Sequence, residues 1–166
     1  MEEILTKARQ EATDLSETDI NNILDTMEEK RNPYFENSTT TSVMYEIRDE
    51  LLLTGIVEKE EYMKKLIEYR LIDEVSEIQR GRHIRWIELY KPKQILNGGG
   101  MVMNIKFMDN GVHILCNNGR CFKQIKFDNC ILFQKMNQEE QLILMVNEHL
   151  QTEETTSNDE THELSS

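Results

Sequence analysis

Long apolar runs, prolines and paired cysteines are scarce in this 166-residue sequence. No apolar stretch approaches the roughly 20 residues that a membrane helix needs. Residues 1–15 carry acids where a secretory signal would carry lysines followed by an apolar block. The cysteines Cys116, Cys121 and Cys130 are odd in number, which argues against a disulfide framework. We therefore expect an intracellular protein without a membrane segment.

The motifs of common enzymes are also missing. The sequence has no Gly-x-Ser-x-Gly elbow, no Walker loop and no His-Glu-x-x-His zinc site. The glycines at 98–100 precede a strand and not a helix, so they predict a flexible turn rather than a phosphate-binding loop. Cys116 has basic neighbours that could activate a thiol, but a small buried side chain is the commoner interpretation. The cysteines and His113 lack a Cys-x-x-Cys pair, and we predict no metal, no cofactor and no enzymatic activity.

Positive charge is concentrated in the middle of the chain. Residues 1–79 hold nine basic and 20 acidic side chains, residues 80–135 hold ten and three, and residues 136–166 hold none and eight. The net charge of −12 therefore hides a basic central segment of +7 between two acidic ones. Such asymmetry bears on the partners of a protein and not on its fold.

The basic segment has the pattern of short strands joined by tight turns. Asn110-Gly111 and Asn118-Gly119 fall between apolar runs, and Asn-Gly is the preferred pair for a type I′ hairpin turn because both central residues adopt positive φ. We predict strands at residues 83–90, 101–108, 111–117, 120–127 and 130–135. This arrangement predicts a small SH3-like antiparallel β-barrel.

Two further expectations concern the side chains of these strands. Met101, Met103, Ile105 and Phe107 alternate along one strand and are expected to face the core. The alternation breaks within residues 120–127, which predicts a β-bulge near residues 123–124.

Helical spacing of apolar residues dominates the rest of the chain. It predicts one helix around residues 20–27, a second from about residue 41 that ends at a left-handed Gly55, and a third at about 59–72. Asn137 and Glu140 form a capping box for a last helix. The fold class is α+β. The predicted divisions are an acidic helical arm and linker at 1–40, a helical pair at 41–79, the barrel with a C-terminal helix at 80–150, and a disordered acidic tail at 151–166.

The barrel segment resembles an uncharacterised domain of large nucleocytoplasmic DNA viruses of the mimivirus kind, over roughly residues 69–150. The residues that carry the likeness are Gly81, Arg82, Arg85-Trp86-Ile87, Gly99-Gly100, Ile105, Phe107, Asn110-Gly111, Cys116, Gln124-Ile125-Lys126-Phe127-Asp128 and Phe133-Gln134-Lys135. The resemblance implies a viral source, with the host cytoplasm or the virion as the location. It implies no catalytic residues.

Basic side chains interleaved with aromatic ones make binding the favoured function. Such a pattern on a small barrel is typical of single-stranded nucleic-acid binders, although the same cations could pair with the acidic arms of the chain. We expect a non-enzymatic interaction or structural module with a protein partner; the alternative is a barrel that binds single-stranded RNA or DNA. No small-molecule substrate is evident. The candidate binding residues are Arg80, Arg82, Arg85, Tyr90, Lys91, Lys93, Lys106, Arg120, Lys123 and Lys126.

Overall fold

The computed structural model describes residues 32–163, with side chains through residue 155. The helix predicted around residues 20–27 lies outside the described residues. The described chain divides into two compact units, residues 32–45 with 137–163 and residues 46–136. None of the helices between residues 32 and 163 combines the length and the apolar character that crossing a membrane requires.

The second unit contains one six-stranded antiparallel sheet, in the order β1-β6-β2-β3-β4-β5. Its strands are β1 (Tyr69–Ile72), β2 (His83–Glu88), β3 (Gly100–Met108), β4 (Gly111–Asn117), β5 (Phe122–Lys126) and β6 (Cys130–Lys135). The edge strands β1 and β5 do not pair with each other, so the sheet is not closed into a barrel. The α+β class is therefore confirmed, whereas the SH3-like barrel is not.

The helices are α1 (Thr40–Leu53), α2 (Lys59–Lys65) and α3 (Gln138–Glu163). Gly55 has φ +73° just after α1, and the Ile56 amide donates to the Leu51 carbonyl, which confirms the left-handed cap. The prediction that the third helix reaches residue 72 is wrong, because α2 ends at Lys65, residues 66–68 form a turn and Tyr69–Ile72 form β1. Pairing of β1 with β6 gives these residues a full strand partner that helical periodicity cannot anticipate.

The first unit is organised by hydrogen bonds to α3. The Glu140 amide donates to Asn137 Oδ1 at 2.7 Å and the Asn137 amide donates to Glu140 Oε1 at 2.9 Å, which confirms the capping box. Asn147 Nδ2 donates to the carbonyls of Phe35 and Ser38. The helix continues through Glu163, so residues 151–163 are helical where the sequence predicts disorder. Once a helix is nucleated, each added residue gains a hydrogen bond, and low apolar content does not prevent its extension.

A hydrophobic cluster of the second unit lies on one face of the sheet. Trp86 on β2 is its largest member and is 2% exposed. Ile72, Ile84, Val102, Ile114, Cys116, Ile125 and Leu132 pack with it from all six strands, together with Ile78.

A β-bulge in β3 decides which of its side chains reach this core. The register with β4 shifts between Val102 and Asn104, so Val102 and Ile105 share the core face although they are three residues apart. Of the four side chains expected in the core, Ile105 packs against it, whereas Met101 lies on the opposite face and Met103 at the bulge is exposed. Phe107 has the parity of Ile105 but is exposed near the hairpin end of β3, so the expectation is wrong for these three residues. The bulge predicted near residues 123–124 is wrong as well, because the β4–β5 register runs without a shift.

The two Asn-Gly pairs lie at the predicted hairpins, but the turn type differs. Gly111 and Gly119 have φ +122° and +91°. A type I′ turn also requires positive φ at the asparagine, and no described residue other than glycine has it, so that assignment is wrong. Asn118 instead accepts hydrogen bonds through Oδ1 from the amides of Arg120 and Cys121. Its side chain replaces a backbone acceptor in the turn.

The glycines at 98–100 form a turn into β3 that lies close to neighbouring backbone. Gly99 has φ +85°, and a Cβ atom built on it would lie 2.0 Å from the Ile84 carbonyl oxygen. A Cβ atom on Gly100 would lie 3.0 Å from the Asn117 carbonyl. Gly98 has open space around it. The turn therefore requires glycine at Gly99 because the backbone of β2 passes so close to it.

Candidate binding surface

The strands β3, β4 and β5 present a face that points away from the core, here named the open face. The strand register places its side chains in cross-strand rows, such as Lys106–His113–Lys126 and Met101–Asn117–Phe122. Neighbouring strands are about 4.8 Å apart, so adjacent members of a row are close enough to contact one ligand together. The open face consists of Met101, Asn104, Lys106, His113, Leu115, Asn117, Phe122, Gln124 and Lys126.

The charge on these three strands is of one sign. They contain no Asp or Glu, and they carry three lysines, Lys106, Lys123 and Lys126. Within the described part of the chain, none of the three forms an ion pair. Arg80 adds a fourth cation at the margin, where its Nη2 donates to Asn104 Oδ1 at 2.9 Å. The surface therefore favours an anionic ligand.

An aromatic and a sulfur-containing side chain share the open face with these cations, two rows away from Lys106 and Lys126. Phe122 on the edge strand β5 is 62% exposed, and Met101 shares its row and is also exposed. An exposed phenyl ring is a platform on which an aromatic ligand can stack.

The structure separates the ten sequence-predicted residues into groups. It brings Arg80, Lys106 and Lys126 to the open face. Lys123 lies on the same edge strand as Phe122, but its cross-strand neighbour is the buried Cys116, so it is not on the open face. Arg120 is exposed in the turn that precedes β5.

The other predicted residues are engaged elsewhere. Arg82 donates to the carbonyl of Lys135, and Arg85 donates through Nε to the carbonyl of Asn97 at 2.9 Å. Tyr90 donates its hydroxyl to Glu88, and Lys91 pairs with the same carboxylate. Lys93 is exposed in the segment after β2.

Sequence reasoning missed Phe122, His83 and His113 as surface groups. The signal for Phe122 was present, because its parity differs from that of the buried Ile125 on the same strand. His83 shares a 2.8 Å hydrogen bond between its Nδ1 and the Tyr69 hydroxyl. Burial, with help from Arg85 and Lys135, lowers the pKa of His83. This ring is therefore neutral at pH 7 and adds no charge beside the open face.

A cleft of about 350 Å³ adjoins the open face. It is lined by Glu88, Tyr90, His113, Gln124, Ile125, Lys126, Asn129 and Cys130. His113 and Lys126 belong both to the cleft and to the open face. The Glu88 carboxylate is held in place by the Tyr90 hydroxyl at 3.2 Å and by Lys91. The volume of the cleft lies within the range of small-ligand sites.

The thiols of the second unit are poor nucleophiles where they are buried. Burial raises the pKa of Cys116 to about 11, and burial together with the nearby Glu88 raises the pKa of Cys130 to about 12. The thiolate is the reactive species, so both residues are protonated and inert near neutral pH. Between residues 32 and 155, no group of three or more His, Cys, Asp and Glu side chains is placed to hold a metal ion.

We expect alkylation to distinguish the three cysteines sharply. Cys121 is exposed, whereas Cys116 is buried and Cys130 is half-buried. Brief treatment of the native chain with iodoacetamide at pH 7.5 should modify Cys121 alone, and denaturant should expose all three. Peptide mass spectrometry reads the sites directly. Equal labelling of Cys121 and Cys116 in the native chain would contradict the burial of Cys116.

Comparison of the chain with protein-family models, with curated proteins and with solved structures finds no match. The resemblance to a viral domain stays a prediction.

Proposed function

We propose that this chain is a non-enzymatic interaction module that binds single-stranded nucleic acid across the open face. The observation that supports it best is that β3, β4 and β5 contain no acidic residue and place Lys106, Lys126 and the exposed ring of Phe122 on one face. Single-strand binders combine a cationic track for the phosphates with aromatic platforms for the bases.

The rows of the open face suit an unpaired strand better than a duplex. Lys106, Lys126 and Arg80 supply cations across neighbouring strands, and Phe122 lies two rows away from the Lys106 row. In a duplex the bases are stacked on one another and hidden from such a ring, whereas an unpaired base can stack on it. Affinity should therefore fall with salt, with a logarithmic slope of about −2 for three phosphate contacts on a single strand.

The test compares matched charge variants of the full chain. Lys106→Gln with Lys126→Gln removes two cations from the open face, and Lys59→Gln with Lys64→Gln removes two from α2. We measure anisotropy of a labelled oligothymidylate at two salt concentrations. The open-face pair should weaken binding at least about tenfold at low salt and make the slope less negative by about 1.4. The α2 pair should bind as the unmodified chain does.

The same titration decides against the proposal if the unmodified chain does not bind at low salt. It also does so if the two charge pairs lose affinity equally, because binding would then follow net charge and not the open face.

A second candidate, a protein interface, is favoured by one observation in the second unit. Leu53 at the end of α1 is 83% exposed and Val57 is 92% exposed, and Leu52 in the last turn of α1 is half-exposed. Consecutive aliphatic side chains in water are typical of a surface that another protein covers. Failure of every oligonucleotide to bind would leave this interface as the favoured function.

A further inference from the structure

The cleft beside the open face contains groups that the proposed strand-binding surface does not itself require. It offers a carboxylate from Glu88 and a side-chain amide from Asn129, in a lining that also includes the apolar Ile125 and shares Lys126 with the open face. Such a mixture of fixed acceptors and donors suits a planar ligand with polar edges.

We infer that the cleft is a guanine-selective subsite, which receives one unstacked base of the single strand bound on the open face. The inference rests on the proposed function and adds a sequence preference to it. His113 and Lys126 line both surfaces, so a strand that crosses the Lys106–His113–Lys126 row passes the mouth of the cleft.

Glu88 is the group that selects the base. A carboxylate has only acceptors, and its two oxygens carry about four lone-pair sites, so the bonds to Tyr90 and Lys91 leave capacity for a ligand. Guanine presents two adjacent donors, N1–H and the N2 amino group, and it alone among the four bases matches a carboxylate with two parallel bonds. Thymine and uracil present one donor flanked by two acceptors, which the carboxylate repels.

The preceding contacts fix Glu88 in one orientation. Its Oε1 accepts from the Tyr90 hydroxyl and its Oε2 pairs with Lys91, while the side chain is only 17% exposed. A group that is already oriented loses little entropy when it binds a ligand.

Two other lining residues complete the complementarity. Lys126 is a donor, and guanine carries the acceptors O6 and N7 on the edge next to N1. Tyr90 is 64% exposed at the rim, where its ring is available to stack on the base. Cys130 lies in the wall as a neutral thiol, so it adds no repulsive charge.

The experiment uses the full chain and four labelled oligothymidylates of equal length. One is unmodified, and the others carry a single central guanine, hypoxanthine or adenine. One well-made bidentate contact discriminates by roughly 1–3 kcal/mol, which corresponds to at least about fivefold tighter binding of the guanine strand than of the unmodified one. Hypoxanthine keeps N1–H but lacks the N2 amino group, so its strand should lose most of that gain.

Protein variants separate this inference from the proposed function. Glu88→Gln should abolish the guanine preference, measured as the ratio of the affinities for the guanine strand and the unmodified strand, whereas the exposed Glu60→Gln should leave that ratio unchanged. If Glu88→Gln does not fold, the hypoxanthine strand tests the same contact on the native protein.

Each result has one meaning. Equal binding of all four strands overturns the subsite and leaves the strand-binding function standing. A guanine preference that persists in Glu88→Gln also overturns it. Absence of binding to every strand overturns both the function and the subsite.

Discussion

Replacement of Gly99 by alanine is expected to destabilise the second unit by roughly 3 kcal/mol or more. Two costs add at this position. The backbone has φ +85°, which residues other than glycine rarely adopt, and the new Cβ would lie 2.0 Å from the Ile84 carbonyl oxygen. That oxygen belongs to β2, next to the point where Ile84 pairs with Gly100, so it cannot retreat without weakening the β2–β3 ladder.

The neighbouring Gly98 provides a matched control. A Cβ atom on Gly98 meets nothing within 4 Å, and its φ lies outside the positive region. Gly98→Ala should therefore leave the midpoint of urea denaturation within about 0.5 kcal/mol of the unmodified chain. Similar midpoints for the two alanine variants would contradict the close approach of the turn to β2.

Truncation of Trp86 to alanine should lower the free energy of unfolding by about 3–5 kcal/mol, the range measured for large aromatic side chains in protein cores. Trp86 is 2% exposed and packs within a cluster to which all six strands contribute side chains. No smaller side chain fills its volume, and the cluster cannot collapse fully because the strands around it are hydrogen-bonded to one another.

Phe122→Ala is the control for this substitution, because it removes an aromatic ring from the surface of the same sheet. The ring is 62% exposed, so we expect a stability change within about 0.5 kcal/mol. On the proposed function, this variant should still weaken oligonucleotide binding, by roughly 1–3 kcal/mol for the loss of one stacked base. Equal destabilisation by the two truncations would contradict the assignment of Trp86 to the core.

Local chemistry predicted most of the strands. The Asn-Gly pairs located both hairpins, and β4 and β6 have the predicted bounds. The missing strand, Tyr69–Ile72, follows α2 with helical spacing, and only its pairing with β6 makes it extended. The prediction of which β3 side chains face the core was wrong for a related reason. A one-residue bulge after Val102 reverses the parity of every side chain beyond it, and nothing in that run distinguishes a bulge from a regular strand.

Of the candidate surface, the sequence could predict only its excess of positive charge. Counting cations found Arg80, Lys106 and Lys126, but it found Arg82 and Arg85 equally, and these donate to backbone carbonyls. Those acceptors are distant in sequence or lie in a loop, so the composition of the segment cannot show them. The cleft could not be predicted from the sequence, because Glu88 is more than 40 residues away from Cys130 along the chain. Only the pairing of β2 with β6 places these two residues opposite each other.

The position of β6 in the sheet has a consequence for biosynthesis. This strand lies between β1 and β2, yet it is the last of the six to leave the ribosome. Until residue 135 has emerged, β1 has no partner and the apolar side chains of β2 have only part of their core. The nascent sheet therefore exposes unpaired strand edges during elongation, and its completion depends on contacts that are distant along the chain. Chaperones that hold extended apolar segments would act on this chain before β6 inserts, and much less afterwards.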